Sequence, residues 1–406
     1  MQDSRPSVLM LTPDRQIDRR ILLQADSLEA AGWAVTIVAM PLDKPVTEDF
    51  RVARIGAGTP QARRENLVLD AYRWIRGHLP MNGTLMRLMK KLAWRYLVDQ
   101  ESFYLRLFYG TVSRYSPAVV VANDLPMLPV ARRLAAERGA RLVYDSHELY
   151  CEQEFPGREK RRWADIEARH IGACDVVITV NQSIASELER RYGLHGVRVI
   201  LNAERSEQAP LPTRRFHDVL GLDASRRVLL LQGGLSAGRN LEVLVDAMAQ
   251  VRDPSVVLVV LGDGLLFKKL KQRAMAQTVR RVYFLAGVPQ QELLGWTAAA
   301  DAGVIPYQAT CLNNYLCTPN KLFEFIAAGI PVLASDLPEL RKLVVGENIG
   351  LVGNMDSAEK VAALIDDFFG DPHRFAGWKH NLQDVRKRVC WEQEEVKLVD
   401  IYQALR

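Results

Sequence analysis

The sequence predicts an α/β protein built as two doubly wound domains. Three observations carry that expectation. Short apolar runs alternate with helical stretches from Ser7 onward, the rhythm of parallel strands joined by crossover helices. The rhythm pauses at 202–215, where Pro210, Pro212 and several charges intervene, and restarts at Arg227. The 406 residues also exceed what one simple core organises. The expected division is 1–205, 216–390 and a closing helical segment, 391–406.

In the first domain, Ser7–Thr12 reads as a strand, residues 18 to about 31 as a helix stopped by Gly32, and Val35–Ala39 as the second strand. This opening lacks a G-x-G-x-x-G turn, so no dinucleotide is expected there. Residues 60–116 break the alternation. Ala118–Ala122 is the next strand and ends at Asn123-Asp124, and a helix follows from Pro126 to about Glu137. Arg141–Asp145 is a strand running into Ser146-His147-Glu148. A helix near 160–173, a strand Asp175–Val180, a helix from Gln182 and a strand Val197–Leu201 complete the domain. Ligands meet the carboxyl ends of parallel strands. Asp124, Asp145, His147 and Glu148 all fall at such ends, although a satisfied loop histidine is the plain alternative for His147.

The second domain opens with the strand Arg227–Gln232 and the turn Gly233-Gly234-Leu-Ser-Ala-Gly-Arg239-Asn, then a helix to about Val251. Glycines between strand and helix let the backbone approach a phosphate, and Arg239 adds a permanent charge with a fork of N–H groups. A tight turn with a surface arginine is the plain alternative. Val256–Leu261 leads into Gly262-Asp-Gly264, Val282–Leu285 into Ala286-Gly287-Val288-Pro289, and Ala302–Pro306 into a loop, Tyr307–Cys317. Ile349–Val352, a helix near 357–369 and a charged helical stretch close the chain.

Composition narrows the class. Hydrophobic residues at 48% and charged residues at 25% suit a globular protein. No apolar run reaches the ~18–20 residues of a membrane helix, and the start gives no sign of a signal peptide. The five cysteines form no C-x-x-C pair and the seven histidines no ligand-spaced cluster, so neither a zinc site nor a disulfide framework is expected. A reducing cytoplasm is the default location. Residues 51–116 hold 12 Lys/Arg against 4 Asp/Glu, while the whole chain carries only +5. One local basic surface fits this better than a nucleic-acid binder. Within it, Met86, Met89, Ala93, Tyr96 and Leu97 can share a helix face, with Arg87, Lys90, Lys91 and Arg95 elsewhere. Residues 72–115 therefore suit either an interfacial helix drawn to anionic lipid or a core-packed helix with a solvated basic face.

The most informative stretch is Thr318-Pro-Asn-Lys-Leu-Phe-Glu-Phe-Ile-Ala-Ala-Gly-Ile-Pro-Val-Leu-Ala-Ser-Asp336. It reads as a helix start, with Thr318 as N-cap and Pro319 in the first turn, then a stop at Gly329 and a buried strand. A helix N-terminus attracts an anion. Lys321 in the first turn opposes the helix dipole unless an anion arrives. Glu324 one turn later can accept two hydroxyl hydrogen bonds. Phosphate at the helix start and a diol on Glu324 together describe a nucleotide.

This stretch resembles the Pro-Asn-Lys-Leu-x-Glu donor motif of the GT-B glycosyltransferases, in particular the retaining family four (group 1). Asn-Asp-Leu-Pro-x-Leu-Pro followed by Tyr-Asp-Ser-His-Glu-Leu resembles a subgroup of that family. The resemblance implies two Rossmann-like domains facing a cleft, with a C-terminal helix crossing back to the first. It implies a nucleotide-diphosphate sugar as donor substrate, no cofactor and no metal, and a glycan or lipid-linked acceptor. Gly233, Gly234, Arg239, Asn320, Lys321 and Leu322 would meet the donor, Gly287 and Val288 the base, and Glu324 the ribose. His147, Arg239, Lys321 and Asp124 would form the catalytic set, with His147 toward the transferred sugar. Arg19, Asp145 and Glu148 would lie on the acceptor side, and Asp18 and Arg20 are further candidates there, helix decoration being the alternative for Asp18. The resemblance also favours membrane contact by 72–115, at the inner face of the membrane, and a role in bacterial surface polysaccharide synthesis.

Two positions depart from the pattern. Leu316 stands where many members carry a glutamate toward the sugar, a role either left to Asn313, Asn314 or the backbone, or lost. Gly234 stands where the arginine of an Arg-x4-Lys pair would be, if Arg239 takes the lysine's place. A nucleotide-sugar epimerase of the same fold and a non-catalytic nucleotide-sugar-binding module are the alternatives. An NAD-dependent oxidoreductase fits least.

Overall fold

The computed structural model describes residues 5–42, 49–56, 99–206, 213–277 and 280–406. Most of the basic segment, residues 72–98, lies outside them. Its described end is a helix, Gln100–Val112. The chain divides into two compact units, Met1–Ile200 with Lys397–Arg406, and Leu201–Val396.

The first unit is a parallel sheet ordered β3-β2-β1-β4-β5-β6-β7. Its strands are β1 (Ser7–Thr12), β2 (Ala34–Ala39), β3 (Val52–Arg54), β4 (Val119–Asn123), β5 (Arg141–Ser146), β6 (Val176–Thr179) and β7 (Arg198–Val199). The short β3 carries too little apolar pattern to be read from sequence. Central strands β1 and β4 are almost wholly buried, which is why their sequences run apolar without alternation. Crossover helices start where side chains satisfy their first amides. Asp18 accepts from the Arg20 amide at 2.7 Å and Asn181 from that of Ile184 at 2.8 Å. Asp18 is thus the cap of the helix Arg19–Ala30. The end of the final helix, Trp391–Gln403, belongs to this unit, where the Tyr402 ring meets Trp33 edge-on at 6.0 Å and Arg406 donates to the Ala31 carbonyl.

The second unit is also all-parallel, ordered β10-β9-β8-β11-β12-β13. Its strands are β8 (Arg227–Gln232), β9 (Val256–Leu261), β10 (Val282–Leu285), β11 (Ala302–Ile305), β12 (Val332–Ser335) and β13 (Gly350–Gly353). Separate apolar clusters pack its two faces, one around Leu244, Leu258 and Phe368, the other around Leu230, Phe325 and Leu340. The loop expected at Tyr307–Cys317 contains a short helix, Leu312–Leu316, started by the Cys311 sulfur accepting from the Asn314 amide at 3.4 Å. A thiol is a weak acceptor, so this start was not legible.

The helix Asn320–Ala328 corrects another expectation. Its N-cap is Pro319, extended at ψ 138°, rather than Thr318, and no side chain caps it. It ends as expected at Gly329, whose φ of 71° disfavours other residues. Its seat on the sheet depends on Gly303 in β11: a Cβ there would lie 2.4 Å from the Phe325 ring. Gly303→Ala therefore pushes this helix outward. The expected loss is about 1–3 kcal/mol, read as a lower denaturation midpoint. An unchanged midpoint would contradict the close contact.

Candidate functional site

In the second unit, three turns at the carboxyl ends of β8, β9 and β10 lie against one another. Gly262 permits the closest approach, since a Cβ there would sit 2.0 Å from the Gly233 carbonyl oxygen. The Leu235 amide donates to the Asp263 carbonyl at 2.9 Å, and the Gly287 amide to the Asp263 carboxylate at 3.0 Å. Asp263 was not singled out from sequence, because its role is to join two turns rather than to present a motif. Gly287 is exposed, and Val288 is half-buried against the core.

Two cations converge beside the first of these turns. Arg239 donates to the Gly234 carbonyl at 2.6 Å. A Cβ on Gly234 would meet its Nη1 at 3.4 Å, and one on Gly233 would reach Lys321 Nζ at 4.0 Å. Both cations lie over the Tyr307 ring, Arg239 at 5.4 Å and Lys321 at 5.1 Å from its centroid, within cation–π range. Lys321 is 7% exposed. Burial and the neighbouring Arg239 charge pull its ammonium down to about 7, against the opposing pull of Glu324. Glu324 accepts from Gln232 Nε2, and Gln232 is set in turn by the Thr297 hydroxyl at 2.9 Å.

The remaining donor-side expectations separate. Asn320 is exposed and accepts from Asn202 at 2.9 Å. Leu322 does not reach the surface: its side chain is fully buried in the core and its amide donates to the Pro319 carbonyl. Leu316 is half-buried, Asn313 is buried, and Asn314 donates to Thr310 at 2.7 Å.

In the first unit, the ends of β4 and β5 bring Asp124, Asp145, His147 and Glu148 together. Asp124 has a φ of 63°, unusual for a residue with a Cβ and costing about 1–3 kcal/mol. Three hydrogen bonds hold it there. Its amide donates to Asp145, its carbonyl accepts from Met127, and its carboxylate accepts from the His147 amide at 3.0 Å. The His147 ring lies between two carboxylates, Nδ1 3.4 Å from Asp124 and Nε2 3.5 Å from Asp145.

Burial pulls the imidazolium of His147 down, but Asp124 and Asp145 raise it to about 10. Burial pushes the Asp124 carboxyl up to about 7, against the pull of His147. Asp145 behaves oppositely: burial raises it, but Arg20 and His147 hold it well below the usual carboxylate range. Asp14, in the loop after β1, is raised by burial and also feels His147.

Two acceptor-side expectations change. Asp145 is completely buried and bonded to Arg20 and Gln24. Its carboxylate is closed off from solvent and faces His147 Nε2 at 3.5 Å, so it presents no surface to a ligand. Arg20 is likewise buried. Arg19, the first residue of the helix Arg19–Ala30, and Glu148, just past β5, are half-buried. Gln24, Gln232, Thr297 and Tyr307 were not anticipated, since each works through a distant partner.

With its proton held more tightly than usual by the two carboxylates, His147 is expected to remain an imidazolium at pH 8. Its contribution to stability is full below about 6.5 and is lost as pH passes about 10. A ring-nitrogen NMR titration, with the resonance assigned by a His147→Gln difference spectrum, checks this. A neutral ring at pH 8 would contradict the arrangement.

Residues 226–371 match the model of the glycosyl transferases group 1, and residues 17–203 that of the glycosyl transferase 4-like domain. The chain is 24% identical over 218 residues to the chitobiosyldiphosphodolichol beta-mannosyltransferase of Candida albicans, covering 48% of this chain and 45% of that one. It is 25% identical over 288 residues to the lipopolysaccharide core biosynthesis mannosyltransferase LpsB of Rhizobium meliloti, covering 68% and 78%. It thus spans under half the length of the first relative and most of the second. Anabaena Alr3699/HepE in complex with UDP-glucose shares the fold, with a TM-score of 0.66 at 17% identity, covering 98% of this chain and 100% of that one. With one matched domain following the other along its length, the chain belongs to the GT-B glycosyltransferases of group 1.

Proposed function

We propose that this protein transfers a glycosyl group from a nucleotide-diphosphate sugar to a glycan or lipid-linked acceptor, with retention of configuration and without a metal. The observation that carries the reading is the pair of cations, Arg239 and Lys321, on the Tyr307 ring beside the Gly233-Gly234 turn. Like charges held together, one of them on the almost fully buried Lys321, are unfavourable until an anion joins them. A diphosphate supplies that anion, and negative charge grows on it as the sugar departs, so the same groups favour the departure. Glu324, one turn along the helix, is the group for the ribose hydroxyls. The uncapped start of the helix Asn320–Ala328 adds its partial positive charge.

On the acceptor side, the reading assigns Asp124 and His147 to the reaction. A protonated His147 can donate a hydrogen bond or offer charge, but cannot act as a base. Asp124, titrating near 7, is the group of the pair able to exchange a proton at neutral pH. The relation to LpsB supports a surface-polysaccharide acceptor, and the UDP-glucose complex of HepE supports a uridine nucleotide as the first donor to test. The proposal includes peripheral membrane contact at the cytoplasmic face through 72–115. Among the described residues no helix is long and apolar enough to cross a membrane, and no group of three or more His, Cys, Asp or Glu is placed to hold a metal ion.

A thermal-shift and hydrolysis screen against UDP-, GDP- and ADP-sugars, with EDTA and then with magnesium, tests the assignment. One donor series is expected to raise the melting temperature and to release its diphosphate slowly in EDTA. Arg239→Ala is expected to cut turnover about 100-fold or more with the fold intact. Indifference to every donor would overturn the reading.

A second expectation concerns protons. The Lys321 ammonium, held down to about 7 in the free protein, rises when a diphosphate binds beside it. Binding at pH 8 therefore takes up a proton, and affinity is flat below about 7 and falls above it. Calorimetry in buffers of different ionisation enthalpy checks the sign. Proton release, or none, would remove Lys321 from the diphosphate site.

A further inference from the structure

The buried support beneath His147 has a definite geometry. Arg20 is 3% exposed and Asp145 is fully buried. The guanidinium grips the carboxylate with two arms, Nε to Oδ2 at 2.9 Å and Nη2 to Oδ1 at 2.9 Å. The third nitrogen, Nη1, donates at 2.8 Å to the carbonyl of Ile200, the last residue of the first unit before the chain enters the second. Gln24, one turn along the same helix, donates to Asp145 Oδ2 at 2.6 Å. That same oxygen faces His147 Nε2 at 3.5 Å.

A planar fork fixes a carboxylate in orientation as well as charge. Asp145 therefore presents a carboxylate of fixed orientation to the imidazole, whose Nε2 lies 3.5 Å away. Breaking a buried pair leaves an uncompensated charge, so Arg20 also keeps Asp145 available as an anion. The other charged groups around the ring are Asp124 from the end of β4, Glu148 beside it and Asp14 after β1.

We propose that Arg20 is a positioning residue for glycosyl transfer, acting through Asp145 to set the orientation of the His147 ring. This rests on the assignment of His147 to the reaction. Arg20 itself is too deeply buried to meet substrate, so its effect must pass through the carboxylate it holds.

The test is a double-mutant cycle on the full chain: R20Q, D145N and R20Q/D145N. The readouts are kcat, KM for the sugar nucleotide, and the ring resonance of His147 in nitrogen-15 histidine-labelled protein. Each single change is expected to lower kcat about 100-fold, as misplacement of a reacting group does, while KM stays unchanged. In the D145N background, R20Q is expected to alter kcat by no more than about twofold, because the shared partner is gone. The His147 resonance should move in either single variant and show no further shift when the two are combined.

Additive losses in kcat, or a His147 resonance indifferent to R20Q, would overturn the proposal. Should R20Q fail to fold, Q24M removes a different bond to the same Asp145 oxygen. It should then move the His147 resonance in wild type but not in the D145N background; a shift in both, or in neither, counts against the link. A wild-type protein that transfers no sugar would overturn the proposed function instead. The resonance cycle needs no turnover and reads the connection between Arg20 and His147 on its own.

Discussion

Two positive charges on one tyrosine ring set the terms for the second unit. Arg239 reaches the ring from the turn after β8, and Lys321 from the first turn of the helix Asn320–Ala328. The placement of Lys321 does not favour the empty protein, since it is almost wholly out of water and the Arg239 charge further depresses its ammonium. Much of the surrounding structure serves to hold them there. Gly262 lets the turns after β8 and β9 touch, Asp263 bridges to the turn after β10, and Gly303 lets the Lys321 helix settle onto the sheet. The rigidity of a parallel sheet buried on both faces is what allows such a strained charge arrangement to persist.

The first unit solves a complementary problem. It gathers several carboxyl groups at the ends of β1, β4 and β5 and balances them with one histidine and one deeply buried arginine. The outcome is a division of labour by environment. Asp145 is stabilised as an anion by Arg20, Asp124 is pushed toward neutrality by burial, and His147 is kept charged by both. Neighbouring groups of one chemical type thus acquire different protonation behaviour. The unusual backbone at Asp124 is part of the same economy of contacts, because its φ of 63° turns the carboxylate back onto the His147 amide.

Much of this was legible beforehand. The apolar runs of β1, β4, β8 and β9 announced buried parallel strands, and strand-end placement singled out Asp124 and His147. The Pro-Asn-Lys-Leu-Phe-Glu stretch announced a helix start bearing a cation and a carboxylate. Errors clustered where local sequence is ambiguous. Proline at φ −63° fits either an N-cap or the first helical residue, and only its ψ of 138° made Pro319 the cap. That the Leu322 side chain would point into the core while Lys321 beside it would lie next to Arg239 was likewise not evident, because helical periodicity gives adjacent residues different faces.

The sequence by itself determined the fold class, the strand ends at which chemistry can occur and the residue types waiting there. Those are local properties, set by hydrophobic period, capping and turn residues within a few positions. Only the tertiary structure decided which side chains act on one another. Arg20 and Asp145 are 125 residues apart and Gln232 and Glu324 are 92 apart, and no periodicity reports such pairings. The same carboxyl group is a ligand contact, a buried counter-ion or a proton carrier according to its desolvation and neighbours, and both come into being only when the chain folds.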